Sequence, residues 1–179
     1  ASGLPLVPKE SRNIMKATSF GTGELIKEVL EKGFRKVIIA VGGSATNDAG
    51  IGAMTALGAE FLDESGNKLE PVGENLEKIF DYTTDGLLAS ITETEFTVMC
   101  DVDNPLVGPF GAPYVYGPQK GGTKETLEAL EHGMQNYADV LKRKTGTAFH
   151  EMPGAGAAGG ISAALVAFLG AKLQSGISV

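Results

Sequence analysis

The stretch VIIAVGGSATNDAGIGAM, Val37–Met54, decides how the surrounding chain folds. It begins with a short, continuous apolar run rich in β-branched residues, which is typical of a buried strand. Gly42 and Gly43 end this run, a dense polar cluster follows, and small residues then resume at helical spacing. We interpret the stretch as a strand over Lys36–Val41, a sharp turn, and a helix over 48–57. Such a strand-to-helix step predicts an α/β unit.

The rest of the chain supplies the other elements of an α/β domain. A helix with Thr22 as N-cap and a stop at Gly33 precedes the first strand, and a second buried strand is predicted over Glu95–Cys100. Thr123 caps a long helix that ends near Lys144 and carries one apolar stripe. The remaining predictions are a small hairpin over 59–71, short helices over 74–81 and 85–91, an irregular segment over 101–122, and a small-faced helix over 158–170. Together they predict a single compact domain over 1–179, with a mixed or mainly parallel sheet flanked by helices.

Composition and charge exclude several classes of protein. The chain has 179 residues and a net charge of −7, without the basic face that a nucleic-acid-binding surface needs. No apolar run is long enough to span a membrane, and no signal peptide opens the chain. The single Cys100 excludes an internal disulfide. We therefore expect a cytoplasmic protein whose partners include neither nucleic acid nor a membrane.

The polar cluster after the first strand predicts a site for a small anion. Glycines allow a ligand to approach main-chain amides, and the start of a helix carries a partial positive charge. A phosphate or carboxylate would fit there, with further donors from the polar side chains Ser44, Thr46 and Asn47. The alternative is a capped helix after a tight turn, with no ligand. The glycine spacing matches neither the dinucleotide fingerprint nor the P-loop.

Asp48 fits such a site poorly, because its carboxylate would repel an anion. Its presence is better explained as a magnesium ligand, an acceptor for a substrate hydroxyl, or a general base. A second acidic cluster, CDVDNP over 100–105, places Asp101 and Asp103 just past a strand end, followed by Asn104. Ligands of open α/β sheets gather at that edge, and two carboxylates there could hold Mg²⁺. The alternative is a turn in which Asp103 or Asn104 bonds its own backbone.

Two further glycine-rich segments could face the same ligand. YGPQKGG over 116–122 holds Lys120, which could meet a phosphate as a point charge or could be an ordinary solvated lysine. PGAGAAGG over 153–160 lies at a predicted helix start. We expect its last two glycines to serve close packing, and Gly154 and Gly156 to face a ligand.

With these clusters in view, the chain resembles the bacterial type-1 glycerate kinases. The similar stretches occur in family order and cover nearly the whole chain: ASGLPLVP, ATSFGTGELI, GGSATNDAG, CDVDNPLVGPFGA, YGPQKGGT and PGAGAAGGISAALVAFLGA. The resemblance implies ATP-dependent phosphorylation of D-glycerate with magnesium, and it favours the 2-hydroxyl as acceptor. It departs from the family at Ala49, where glycine is usual.

The resemblance also implies roles for individual residues. Asp48 or Asp101 would orient the acceptor hydroxyl or hold the metal, with Asp103 as a second magnesium ligand, and Lys120 would neutralise developing charge. The base stays open between the three aspartates. The implied substrate or phosphate contacts are Gly42, Gly43, Ser44, Thr46, Asn47, Asp103, Asn104, Gln119, Gly154 and Gly156.

The family is considerably longer than this chain and has two α/β domains with the active site between them. This chain resembles the inserted domain, so we expect the remainder of the same polypeptide as its partner, and a homodimer is compatible with the sequence. Alone, the domain would be inactive or weakly active. The rival hypothesis is a non-catalytic module that binds a small anion or a nucleotide. A dehydrogenase-like domain is disfavoured by the glycine spacing.

Overall fold

A computed structural model describes residues 2–176 of the chain. Helices and strands joined by loops and short 3₁₀ turns make up the described range. The helices are α1 (Phe20–Glu31), α2 (Ile51–Ala56), α3 (Ala112–Tyr116), α4 (Lys124–Thr145) and α5 (Ala157–Leu169). The strands are β1 (Lys36–Ala40), β2 (Glu60–Leu62), β3 (Asp81–Thr83), β4 (Glu95–Met99) and β5 (Lys172–Gln174). Residue 1 and residues 177–179, which belong to the predicted domain over 1–179, lie outside the described range.

The main sheet is parallel and has the order β1–β4–β5. Lys36 lies opposite Glu95 and Ala40 opposite Met99, while Thr97 lies opposite Lys172. A small antiparallel pair, β2 with β3, lies apart from this sheet. The predicted α/β class, with a mainly parallel sheet and a small hairpin, is therefore confirmed. Parallel strands place their carboxyl ends at one edge, so the segments after β1 and β4 emerge side by side.

The prediction that the first strand is buried is wrong for the described residues. β1 lies at the edge of the sheet, and Ile38 on it is 50% exposed. The central strand β4 does have a buried middle, over 96–98, as predicted. The short strand β5 was not predicted, because three residues carry too little periodicity to mark a strand.

The hairpin forms with a different second strand from the one predicted. β2 pairs with β3, whereas Lys68 contributes only an isolated bridge to Leu62. The predicted helices over 74–81 and 85–91 are short 3₁₀ turns over Gly73–Lys78 and Ala89–Glu93. Asp63 explains the local turn, since its Oδ1 accepts from the amides of Ser65 and Asn67.

The predicted N-cap residue is correct for α4 and wrong for α1. Thr123 caps α4 as predicted, and its side chain and that of Thr126 form a reciprocal capping box. α1 begins earlier than predicted, with Ser19 rather than Thr22 as its N-cap residue. The side chain of Ser19 is engaged elsewhere, in a contact that matters for the site.

The core lies between the helices and the inner faces of the two sheets. Its largest fully buried side chains include Tyr137 from α4, Phe61 from β2 and Phe96 from β4. The rings of Phe61 and Tyr137 meet edge to face, with centroids 6.0 Å apart. Within the described range, no helix is long and apolar enough to cross a membrane.

Candidate functional site

A polar hollow of about 200 Å³ lies beyond the carboxyl ends of β1 and β4. Four separate segments line it, and the sequence indicates each of them as a candidate for ligand binding. The lining residues are Val41, Gly42, Gly43, Ser44, Asp101, Val102, Tyr116, Gln119, Lys120, Ala157 and Ala158. The structure thus joins the glycine loop after β1 with the acidic segment after β4 and the turn before α4.

The glycine loop, residues 42–48, presents its first residues to the hollow. Gly43 has a φ of +60°, which a residue with a side chain rarely adopts. The carbonyl of Gly43 accepts from Leu4, and the amide of Ala45 donates to Ser2, so the N-terminal segment holds the loop from outside. Within residues 2–176, the amides of Gly42, Gly43 and Ser44 donate no hydrogen bond. They are available to an anionic ligand.

Lys120 is buried rather than solvated, with only 3% of its surface exposed. Its Nζ donates to Ser44 Oγ at 3.1 Å, to the Thr46 carbonyl at 2.7 Å and to Asn47 Oδ1 at 3.0 Å. All three acceptors belong to the glycine loop, more than 70 residues earlier in the chain. The ordinary solvated lysine, one of the two alternatives, is therefore excluded.

The buried charge of Lys120 makes stability depend on pH. Burial lowers its pKa from 10.5 to about 8, and the negative charge of Asp48 opposes this lowering. Between pH 8 and 10.5 the unfolded chain therefore binds more protons than the folded one, so the free energy of unfolding rises with pH. From pH 7 to 9.5 we expect Lys120 to contribute a rise of about 2 kcal/mol.

Urea denaturation at several pH values checks this expectation, as the difference between the wild type and Lys120→Met. The Lys124→Met variant is the control for the loss of a lysine side chain, because Lys124 is exposed. A difference between wild type and Lys120→Met that stays constant with pH would contradict the assignment of the shifted charge to Lys120.

Asp48 does not lie where the predicted catalytic role requires. It is fully buried and does not line the hollow. Its Oδ2 accepts from the amide and hydroxyl of Ser19, each at 2.7 Å, and from the Gly52 amide at 3.2 Å, while Oδ1 accepts from the Gly50 amide at 3.2 Å. The Ser19 hydroxyl in turn accepts from Ala53.

The carboxylate of Asp48 therefore occupies the start of α2 that we had expected an external anion to occupy. The capped-helix alternative describes this part of the cluster correctly. Burial raises the pKa of Asp48, and its hydrogen bonds from Ser19, Gly50 and Gly52 oppose that effect. Sequence reasoning missed Ser19, although a serine directly before the apolar Phe20 is a helix-start signal.

Thr46 and Asn47 are also buried and do not line the hollow. Thr46 contributes its carbonyl, and Asn47 its side-chain oxygen, to Lys120. Both side chains lie outside the lining of the hollow, so their contact with a ligand stays a prediction. Ala49, two residues after Asn47, has a φ of +51°, a backbone conformation that glycine adopts without strain.

The polar residues of the acidic segment differ in whether they line the hollow. Asp101 is exposed and lines the hollow, and its Oδ1 accepts from the Ser175 hydroxyl and the Gly176 amide. Asp103 is exposed but does not line the hollow. Asn104 braces the following segment: it donates to the Phe110 carbonyl at 3.0 Å and accepts from the Tyr116 hydroxyl. The predicted turn, in which Asn104 bonds its own backbone, is therefore not what the structure shows: the partners of its side chain are Phe110 and Tyr116, six and twelve residues later.

Gly154 and Gly156 are packed rather than ligand-facing, which corrects their predicted role. A Cβ on Gly156 would lie 2.2 Å from the Pro105 carbonyl, and one on Gly154 would lie 3.0 Å from the Cys100 sulfur. The packing predicted for the later glycines is present. A Cβ on Gly159 would lie 1.9 Å from the Thr46 carbonyl. In their place, Ala157 and Ala158 line the hollow.

Asp101 is the residue that fits a magnesium ion at the hollow. Mg²⁺ takes oxygen ligands and is commonly held by one or two carboxylates together with substrate phosphates and water. The described residues contain no group of three or more histidine, cysteine, aspartate or glutamate side chains able to hold a metal. An ion there would therefore need oxygens from its phosphate ligand as well as from the protein.

A second, larger hollow of about 420 Å³ adjoins the first. Leu25, Val29 and Ile38 are among its mainly apolar lining residues from α1 and β1. The two hollows share Val41, Gly42, Ser44 and Ala158. The glycine loop therefore borders both hollows, an arrangement that the sequence did not indicate.

Comparison with known proteins gives one consistent family. Residues 1–179 match the family model described as the glycerate kinase family. The Escherichia coli (strain K12) protein named glycerate 2-kinase is 47% identical over 100% of this chain and 47% of its own length. The Bacillus subtilis (strain 168) glycerate kinase is 44% identical over the same shares.

A solved structure shows the same architecture. The crystal structure of a protein from Salmonella typhimurium LT2 assigned as a glycerate kinase 2 superposes with a TM-score of 0.96 at 45% identity. The match covers 99% of this chain and 48% of that one. The chain thus spans about half the length of the relatives it matches.

Proposed function

The chain belongs to the glycerate kinase family, and on that premise we propose that the polypeptide phosphorylates D-glycerate at the expense of ATP. The observation that carries the proposal is the polar hollow, where three unpartnered loop amides meet one exposed carboxylate, Asp101. Amides suit the negative charge of a phosphate or of the glycerate carboxylate, and a carboxylate suits a hydroxyl or a metal ion.

This chain would supply one wall of an active site between two domains. Relatives about twice its length carry the kinase name, so the remainder of the same polypeptide is the proposed source of the other wall. We accordingly expect residues 1–179 alone to turn over slowly or not at all. A homodimer stays a prediction, as does a cytoplasmic location.

Phosphoryl transfer depends mainly on positioning and on stabilising charge. The amides of Gly42, Gly43 and Ser44 would bind the anion, and Gln119 would add a side chain from the opposite edge of the hollow. Asp101 would orient the acceptor hydroxyl or hold magnesium, the ion that neutralises phosphate charge when ATP is bound. The name of the E. coli relative, glycerate 2-kinase, supports the 2-hydroxyl as the acceptor.

ADP release by the full-length polypeptide, with D-glycerate and Mg-ATP, tests the function. No release above the rate without D-glycerate would overturn it, and binding of D-glycerate without turnover would favour the non-catalytic module instead. Phosphorus NMR of the product separates the two phosphoglycerates, and 3-phosphoglycerate as the sole product would contradict the 2-position.

A matched pair of aspartate variants tests the site. We expect Asp101→Asn to lower kcat by about 10²-fold or more, because a positioned acid–base or metal-binding group is lost. Asp103→Asn is the control: it removes an equally exposed carboxylate two residues away, outside the hollow, and should change kcat by less than about twofold. A larger loss in Asp103→Asn than in Asp101→Asn would overturn the placement of the carboxylate.

A further inference from the structure

We infer that Lys120 and Asp48 are positioning residues, which hold the glycine loop in its ligand-binding shape from two sides without contacting the ligand. The inference deepens the proposed function by assigning the two buried charges of this site. It rests on that function for its activity measurements alone, because the contacts that hold the loop are all within the protein.

The first step is a count of donors. A lysine ammonium has three N–H donors and no acceptor. Lys120 directs them at Ser44 Oγ, the Thr46 carbonyl and Asn47 Oδ1, at 3.1, 2.7 and 3.0 Å. We call this arrangement the lysine cage. With every donor engaged and 3% of the residue exposed, Lys120 could bind a phosphate only by breaking a bond of the cage.

The second step concerns the hydrogen bonds at the other end of the loop. Asp48 follows Asn47 directly, and its four hydrogen bonds tie the loop's end to Ser19, Gly50 and Gly52. Neither oxygen faces the hollow. The loop is therefore held by a cation just after its glycines and by an anion at its end, and of these two residues only Lys120 lines the hollow.

The third step concerns the cost of burying these charges. Burial of an ion is costly unless the ion is paired and hydrogen-bonded. Here the two charges attract each other, since Asp48 favours the charged form of Lys120. Lys120 lines the hollow, but its three donors are directed at the loop, and Asp48 lies outside the hollow. We therefore assign both charges to fixing the geometry of the loop, which sets the amides of Gly42, Gly43 and Ser44.

Hydrogen exchange on the ligand-free, full-length polypeptide tests the inference without any substrate. In Lys120→Met the three cage oxygens lose their donors, and we expect protection of the hydrogen-bonded loop amides, those of Ala45 and Ala49, to fall at least tenfold. The matched control is Lys124→Met, four residues on, whose side chain is 83% exposed and which should leave that protection unchanged. Unchanged protection in Lys120→Met would overturn the inference.

Replacement by arginine separates positioning from direct phosphate contact. A planar guanidinium binds phosphate well but cannot reproduce a cage built for a compact ammonium. We therefore expect Lys120→Arg to lose kcat/KM as severely as Lys120→Met, about 10²-fold, with KM raised and kcat lowered in both. Near wild-type activity in Lys120→Arg, with Lys120→Met inactive, would show direct contact and overturn the inference.

A milder variant covers the case in which Lys120→Met fails to fold. Asn47→Leu removes one acceptor of the cage, is fully buried and lies outside the hollow. We expect it to lower the same protection and to raise KM. Wild-type protection in this variant would count against the cage. Absence of D-glycerate turnover would remove the proposed function while leaving the exchange results to decide the positioning role.

Discussion

Replacing Asp48 by alanine is expected to lower the free energy of unfolding by about 3–5 kcal/mol, the usual cost of leaving buried donors unpaired and a nearby buried charge uncompensated. The substitution leaves the amides of Ser19, Gly50 and Gly52 without their acceptor inside the protein. It also removes the charge that attracts Lys120. Urea denaturation followed by circular dichroism measures the loss.

Asparagine at the same position is the matched control. Three of the four bonds of Asp48 reach Oδ2 and only one reaches Oδ1. An asparagine whose oxygen takes the Oδ2 position would therefore keep three acceptor contacts and lose one. We expect Asp48→Asn to cost about 1–3 kcal/mol, less than alanine.

A wild-type unfolding free energy in Asp48→Ala, together with lost turnover, would contradict the structural role. That result would return Asp48 to the chemical role that the sequence had indicated. Equal destabilisation by alanine and asparagine would instead place the whole effect in the lost charge rather than in the hydrogen bonds.

Among substitutions that add a single methyl group at the site, we expect Gly159→Ala to be the most damaging. It should lower the free energy of unfolding by about 3 kcal/mol or more. The new Cβ would lie 1.9 Å from the Thr46 carbonyl and 2.8 Å from Asn47 Oδ1. Both atoms are acceptors of the lysine cage, so relief of the clash must move the glycine loop. Turnover should fall by about 10²-fold for the same reason.

The chain provides a close control for this substitution. Gly146, at the end of α4, has a φ of +75° against +74° for Gly159, but a Cβ there meets nothing within 4 Å. Gly146→Ala therefore carries the backbone strain without the clash, and we expect a loss of about 1–2 kcal/mol. Similar losses in the two variants, measured by urea denaturation, would show that the Thr46 contact yields easily and would contradict a rigidly held loop.

The sequence determined the features whose causes are local. α4 and its N-cap follow from Thr123 and an apolar stripe, and the strands β1 and β4 follow from short apolar runs. The sequence also located four segments that line one hollow, because strand ends followed by glycines and polar residues occur where parallel sheets bind ligands.

Only the tertiary structure decided which polar residues face that hollow. Asp48 and Asp101 are the same residue type in similar sequence settings, yet one is buried against Ser19, 29 residues earlier, and the other is exposed at the hollow. Lys120 is engaged by oxygens more than 70 residues away. Burial and pairing depend on which distant segments pack together, and a side chain's type and spacing do not encode that.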